Sequence, residues 1–351
     1  MSILKDIDNI IGWMAGADIK PKQKVVTRKS YVQPKVTLNN TNKPHLYRPN
    51  TFEYYIGQTK AKHILKSFIS GTKKLNKIFP HVLIHGSAGC GKTTLARIIA
   101  NELNIPFVEG LAGDLDLNSL AELHKQAQNG ILFLDEIHRM NRDTAEIFYS
   151  IMEDFTYGGQ SVPPLTLIGA TTEVGEIIKN RKPFYDRFKI IIELEPYTTQ
   201  DMFEIIKRYT YKTYSNNNIN ENNLKVIAQN ARNTPRHAIR LTDYLYYSEE
   251  SIDNVLSNNN IIADGYTNKD FKLLEYLYNN KKPVGIDTIS LYLNTSQENY
   301  NYDIEPYLIQ QGVITRTARG RIISQIGEQV YFQLKKINDD RINKLANNSV
   351  Y

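Results

Sequence analysis

The chain has 351 residues, which at roughly 150 residues per domain is too long for one ordinary core, so two or three domains are expected. Hydrophobic residues make up 41% and charged residues 23%, with a net charge of +6: ordinary globular values that admit an anionic partner without requiring one. A single cysteine, Cys90, excludes an intramolecular disulfide and a Cys-cluster zinc site, and there is neither a bilayer-spanning apolar run nor a signal-peptide pattern, so no membrane association and a cytoplasmic location are expected.

Ile3, Leu4, Ile7, Ile10, Ile11 and Met14 recur at helical spacing beside Trp13, which predicts a short amphipathic helix. Residues 15–44 are polar and basic, with prolines and asparagines that suit a tether. From Tyr47 to about Glu195, short apolar runs alternate with helical patterns, the rhythm of a parallel α/β sheet. Residues 81–85, 131–134, 165–170 and 190–194 read as strands buried on both faces. Beyond Thr198 the patterns are only helical, interrupted by an Asn-rich turn at residues 215–218. A last unit has helices through Phe271, Leu274 and Leu277, through residues 286–293 and through residues 304–311, followed by a strand-like, basic stretch at 313–323. That order describes a winged helix. The expected divisions are 1–45 (amphipathic segment and linker), 46–195 (α/β), 196–263 (all-α), 264–335 (winged helix) and 336–351 (tail).

Gly86-Ser87-Ala88-Gly89-Cys90-Gly91-Lys92-Thr93 follows a predicted strand and opens a helix whose apolar face is Leu95, Ile98, Ile99 and Leu103. This is a Walker A loop in its required context. Its glycines let backbone N–H groups turn toward phosphates, the helix N-terminus adds positive dipole, Lys92 reaches the β and γ oxygens, and the Thr93 hydroxyl suits Mg²⁺. Gly86, Gly89, Gly91, Lys92, Thr93 and Thr94 are therefore the candidate phosphate contacts, with Cys90 read as packing. Residues 131–134 deliver Asp135 and Glu136 to a strand's carboxyl end, where doubly wound sheets bind ligands. Asp135 is expected to hold Mg²⁺ through water and Glu136 to activate the attacking water. His138 and Arg139 read equally well as a solvated loop. Phosphoryl transfer also needs a polar sensor and cations for the developing charge. Thr171 and Thr172 at the end of a parallel strand suit the sensor, with Thr172 the choice; Arg187 suits a finger reaching a neighbouring subunit, and Arg236, after Thr234-Pro235, a second sensor.

From Tyr47 to Phe332 the chain resembles the RuvB family of AAA+ branch-migration motors. The resemblance rests on Arg48-Pro49, residues 53–58, Asp135-Glu136-Ile137-His138-Arg139, residues 152–155, residues 167–172, Asp186-Arg187-Phe188 and Thr234-Pro235-Arg236. The tract Glu305-Pro306-Tyr307-Leu308-Ile309-Gln310-Gln311-Gly312, with Arg316-Thr317-Ala318-Arg319-Gly320-Arg321 after it, is not shared by general AAA+ clamp loaders. The resemblance implies an AAA+ P-loop domain, a helical lid and a DNA-binding winged helix, ATP and Mg²⁺ as cofactors, and a ring, a hexamer by analogy, that moves duplex DNA. It implies that Tyr47 and Arg48 flank the adenine, that Tyr197 contacts base or ribose, and that Glu153, Asp154 and Phe155 lie near the nucleotide at the subunit boundary. Arg316 and Arg321 fall on the family's DNA-touching wing arginines.

The chain departs from that pattern between Phe155 and Pro163, where the family's longer hairpin for its partner RuvA is cut to a turn. Tyr185 also replaces the first arginine of the finger tract, leaving Arg187 as the finger and Arg181 as its alternative. Two other readings stay open: a clamp-loading or protein-remodelling AAA+ machine, and a non-catalytic scaffold that uses ATP only to assemble on DNA.

Overall fold

The computed structural model describes residues 47–157, 159–214 and 220–348. The amphipathic helix, the tether and the Asn-rich turn expected from the sequence lie outside the described residues. The chain divides between Glu195 and Pro196 into two units.

In the first unit, β1 (Val82–His85), β2 (Phe107–Leu111), β3 (Ile131–Asp135), β6 (Thr166–Thr171) and β7 (Ile190–Glu193) form a five-stranded sheet ordered β2-β3-β6-β1-β7, with every pairing parallel. Strands β1, β3 and β6 are buried along nearly their whole length, which is why their sequences are unbroken apolar runs. Strand β7 corrects the expectation of burial on both faces: it lies at the sheet's edge and alternates buried and exposed residues, with Ile190 and Ile192 facing in. The opposite edge, β2, is half exposed, and Glu109 and Gly110 break its apolar run, so no pattern marks it. Gly130 is there because a Cβ would sit 2.5 Å from the Pro106 carbonyl oxygen as the chain enters β3.

Helix α1 (Thr59–Leu75) precedes β1, α2 (Lys92–Leu103) follows it, and α3 (Leu117–Gln126) leads to β3. Asp116 and Ser119 cap α3 reciprocally, each side chain taking the other's backbone N–H. Helix α4 (Arg142–Asp154), capped by Asn141, runs from the carboxyl edge of the sheet back to its amino edge, where the Met152 carbonyl meets His81 just before β1. There β4 (Thr156–Tyr157) and β5 (Gln160–Ser161) pair over only two residues each. Helices α5 (Val174–Asn180) and α6 (Lys182–Tyr185) join β6 to β7.

The second unit begins with α7 (Thr199–Thr213), α8 (Glu221–Asn230), α9 (Pro235–Ser248) and α10 (Ile252–Asn258). After the hairpin of β8 (Ile261–Ala263) and β9 (Tyr266–Thr267) come α11 (Asn268–Asn280), α12 (Ile286–Tyr292) and α13 (Gln297–Asn299). A π-turn (Tyr300–Ile304) leads into α14 (Glu305–Gln310), the ribbon of β10 (Ile314–Thr317) and β11 (Gly320–Ile323), and α15 (Gln325–Asn348). These last elements are a winged helix, packed around Leu273, Leu277, Ile289, Leu308, Val313 and Leu334. Gly320, at φ +134°, lets the ribbon approach residue 284, because an added Cβ would lie 2.2 Å from the Val284 carbonyl oxygen. The boundary expected at 335/336 falls inside α15, whose Arg341 donates to the Ile261 and Ile262 carbonyls.

A buried polar seam joins the helical bundle to the winged helix within this unit. Arg232, in the α8–α9 turn, donates to both Asp270 carboxylate oxygens at 2.9 and 2.8 Å, and Asp270 is fully buried at the start of α11. The same guanidinium lies 4.5 Å from the Tyr307 ring centroid, and Asn230 accepts from the Gly265 N–H. Removing one partner of such a buried pair typically costs about 3–5 kcal/mol, because the other charge is left uncompensated.

In the first unit, His81 accepts the Leu167 N–H at Nδ1, so its proton sits on Nε2 and donates to the Met152 carbonyl. Burial lowers the pKa of His81 and of His124 to about 4. The unfolded chain therefore takes up these protons first as pH falls, so their contribution to stability is complete above about pH 6.5 and is lost toward pH 4. We expect the unfolding temperature to drop steadily from pH 7 to pH 5 in thermal melts. A midpoint constant across that range would contradict the neutral, buried assignment.

Candidate functional site

Strand β1 ends at His85, and the Gly86 N–H bonds to the Thr171 carbonyl at 3.3 Å as the chain turns into the Walker A loop. Gly86, Gly89 and Gly91 take φ values of +151°, +76° and +101°, which a residue with a Cβ rarely adopts. Helix α2 begins with no side-chain cap and no acidic residue in its first turn. Its leading N–H groups and the positive dipole end are thus available to an anion, which is the donor set that phosphates need. Lys92 is 7% exposed and folds over the loop, donating to the Gly86 and Ser87 carbonyls at 2.9 and 3.0 Å. Tyr55 braces the loop from outside through a bond to the Gly91 carbonyl at 3.4 Å. Cys90 is buried, and burial raises its thiol pKa, which leaves it the packing role expected.

Strand β6 lies between β1 and β3, so its end stands between the Walker A loop and the two carboxylates. Adjacent strands are about 4.8 Å apart, which sets the two motifs roughly 10 Å apart. Asp135 closes β3, and its Oδ1 accepts the Glu136 N–H at 3.0 Å. Glu136 is held in the left-handed region at φ +49°, and the Thr172 hydroxyl donates to its Oε2 at 3.2 Å. His138 lies 3.2 Å from the same oxygen and bonds through Nδ1 to the Thr171 hydroxyl at 2.9 Å. Its side chain is only 8% exposed, so the solvated-loop reading fails for His138, whereas it suits the exposed Arg139. Arg181 donates to the His138 carbonyl at 3.3 Å and so belongs to this turn of its own chain. Among the described residues, no cluster of three or more His, Cys, Asp and Glu side chains could hold a metal ion. Thr93, in the first turn of α2, and Asp135, at the end of β3, carry oxygens of the kind Mg²⁺ takes in nucleotide sites, where one or two protein oxygens are completed by phosphates and water.

Within the same unit, Arg187 stands apart from this cluster. Arg187 precedes β7, at the amino edge of the sheet, where the neighbouring Ile190 N–H meets the His81 carbonyl. The Walker A loop lies at the other edge, roughly 13 Å of strand away. Arg187 donates to Glu153 at 2.8 Å and to the Tyr149 and Pro183 carbonyls, with its guanidinium 4.9 Å from the Tyr149 ring centroid. Glu153, Asp154 and Phe155, at the end of α4, share that edge. Of the flanking candidates, Tyr47 is half-buried, Arg48 exposed, Tyr197 buried and Arg236 exposed in the first turn of α9. In the winged helix, Arg316 and Arg321 face each other across the ribbon, and both bond to the buried Glu305.

Residues 47–194 match the family model for the Holliday junction DNA helicase RuvB P-loop domain, and residues 263–331 match that for the RuvB C-terminal winged helix domain. The chain belongs to the RuvB family. It is 38% identical over 314 residues to the Holliday junction branch migration complex subunit RuvB of Ehrlichia ruminantium (strain Gardel), covering 81% of this chain and 93% of that protein. The RuvB subunit of Anaplasma marginale (strain Florida) is 37% identical over 317 residues, covering 83% and 94% of the two chains. The solved Thermotoga maritima RuvB Holliday junction branch migration motor superposes with a TM-score of 0.71 at 34% identity, covering 82% of this chain and 98% of that one.

Replacing Glu136 with Gln keeps the side chain's shape and removes its basicity. Nucleotide binding should persist, while phosphate release falls by roughly 10²–10⁴-fold, the usual contribution of a positioned general base. Turnover at the parental rate would show that another group activates water.

Proposed function

We propose that the chain is an ATP-dependent RuvB-type motor, which assembles as a ring and drives duplex DNA through a Holliday junction during recombination and repair. The observation that carries this reading is the position of Arg187. A phosphoryl-transfer site needs a cation against the developing charge, yet this arginine stands at the wrong edge of its own sheet. In a ring it would serve a neighbouring protomer's nucleotide, and Glu153, Asp154 and Phe155 would meet the nucleotide across the same boundary.

In this reading residues 46–195 are the ATPase domain, 196–263 the lid, 264–335 the winged helix, and the protomers form a hexamer. The Walker A N–H groups, Lys92 and Thr94 bind the ATP phosphates, with Gly86, Gly89 and Gly91 shaping the loop. Thr93 and Asp135 hold Mg²⁺, which neutralises phosphate charge when bound. Glu136 orients and deprotonates the attacking water, and Thr172, bonded to Glu136, couples that carboxylate to the γ-phosphate. Tyr47 and Arg48 are the adenine-side residues, Tyr197 is the lid's contact to base or ribose, and Arg236 carries the lid's response.

Arg316 and Arg321 grip the DNA backbone rather than reading bases, since a translocating motor must accept every sequence. The shortness of β4 and β5 leaves little of the hairpin on which a RuvA-type partner would dock, so coupling to such a partner would use another surface. Among the described residues no helix is long and apolar enough to cross a membrane. In this reading the motor acts on DNA in the cytoplasm.

The test is ATP-dependent movement of a synthetic four-way junction, with and without a RuvA-type protein. Parental protein should resolve it into two forked products; DNA binding without movement would favour a scaffold. Arg187→Ala should bind ATP but lose roughly 10³–10⁵ in hydrolysis rate. Mixing it with Lys92→Ala should restore part of the activity, since each variant supplies what the other lacks. Absence of any recovery from mixed rings would remove the shared-site assignment.

A further inference from the structure

The tract that begins Glu305-Pro306-Tyr307 carries a carboxylate where none would be expected. Glu305 is fully buried, at the first position of α14, directly after the π-turn. An isolated buried carboxylate would be protonated or strongly destabilising. Here burial pushes the Glu305 carboxyl upward, and bonds from Arg321 and Arg316 more than offset that, leaving it below the usual carboxylate range.

The arrangement is specific. Arg321 donates from Nε to Oε1 at 2.6 Å and from a terminal nitrogen to Oε2 at 3.1 Å, while Arg316 donates to Oε2 at 2.5 Å. The two arginines are directly opposite on the antiparallel ribbon, a placement in which like charges repel. Tyr300, buried in the π-turn, lies under the Arg321 guanidinium at 5.8 Å from its ring centroid. Arg321 is thereby 16% exposed and Arg316 58% exposed, while Arg319 sits exposed in the turn between the strands.

We propose that Glu305 is a positioning residue for DNA binding: it clamps Arg316 and Arg321 in one geometry, so that the wing meets the phosphates as a preorganised rather than a floppy cation pair. This rests on the wing reading given above. One carboxylate for the ribbon's three arginines leaves a surplus of positive charge facing solvent. Fixing the pair beforehand spares the ordering entropy that long side chains otherwise lose on binding.

Charge and position make opposite predictions for Glu305→Gln, which separates them. If only charge mattered, deleting a negative group beside the wing would tighten binding to a labelled duplex and steepen its salt dependence by about one counterion. A positioning role predicts the reverse, an affinity loss of roughly tenfold or more, the scale of a charge-assisted hydrogen bond. ATP hydrolysis without DNA should stay at the parental level in the full chain. Glu305→Asp supplies a second variant: it keeps the charge but shortens the reach, and should weaken binding at an unchanged salt slope.

Parental or tighter binding by either Glu305 variant would overturn the inference. Arg316→Ala and Arg321→Ala, run alongside, distinguish the deeper failure. If neither weakens binding, the wing is not the DNA contact at all; if both do while the Glu305 variants bind normally, only the clamp is wrong.

Discussion

Parallel pairing of β1, β6 and β3 makes three neighbouring strands end at one edge of the sheet, and the nucleotide chemistry follows from that constraint. A turn after β1 presents N–H groups and Lys92, a turn after β3 presents Asp135 and Glu136, and the end of β6 inserts Thr171 and Thr172 between them. None of these groups comes from a long flexible loop. Each is within a few residues of a buried strand, so its position inherits the rigidity of the core. The same geometry carries α4 and the approach to β7 to the far edge, separating Arg187 from the chain's own phosphate site.

Much of this was legible in the sequence because the informative patterns are local. A Walker A loop is recognisable where strand, glycines, lysine and helix are contiguous, and the central strands are recognisable because burial on both faces forces unbroken apolar runs. What escaped depended on distance or on edges. Strand β2 is half exposed and interrupted by Glu109 and Gly110, so its pairing partner and not its pattern defines it. His138 gains its place from Thr171, 33 positions away, and Tyr55 from Gly91, 36 positions away. The sequence between them marks neither pairing.

The winged helix shows the same division. Its order of three helices followed by a ribbon could be anticipated from periodicity, but the two-step run of α13 and the π-turn into α14 could not, because it disrupts the helical period where Tyr300 and Glu305 must face inward. The arginines of the ribbon were visible as charge. That they share one buried acid was not, since a glutamate at a helix start ordinarily signals solvent and a favourable dipole.

The seam formed by Arg232 and Asp270 has a mechanical corollary. Burying this pair beneath Tyr307 welds the α8–α9 corner to the root of α11, and opening the joint would strand a bare charge in a dry interior. Bundle and winged helix should then melt as one cooperative block in calorimetry, and proteases should fail to liberate either as a lasting fragment. A rotation imposed on the bundle would reach the ribbon without slack, as along a solid crank.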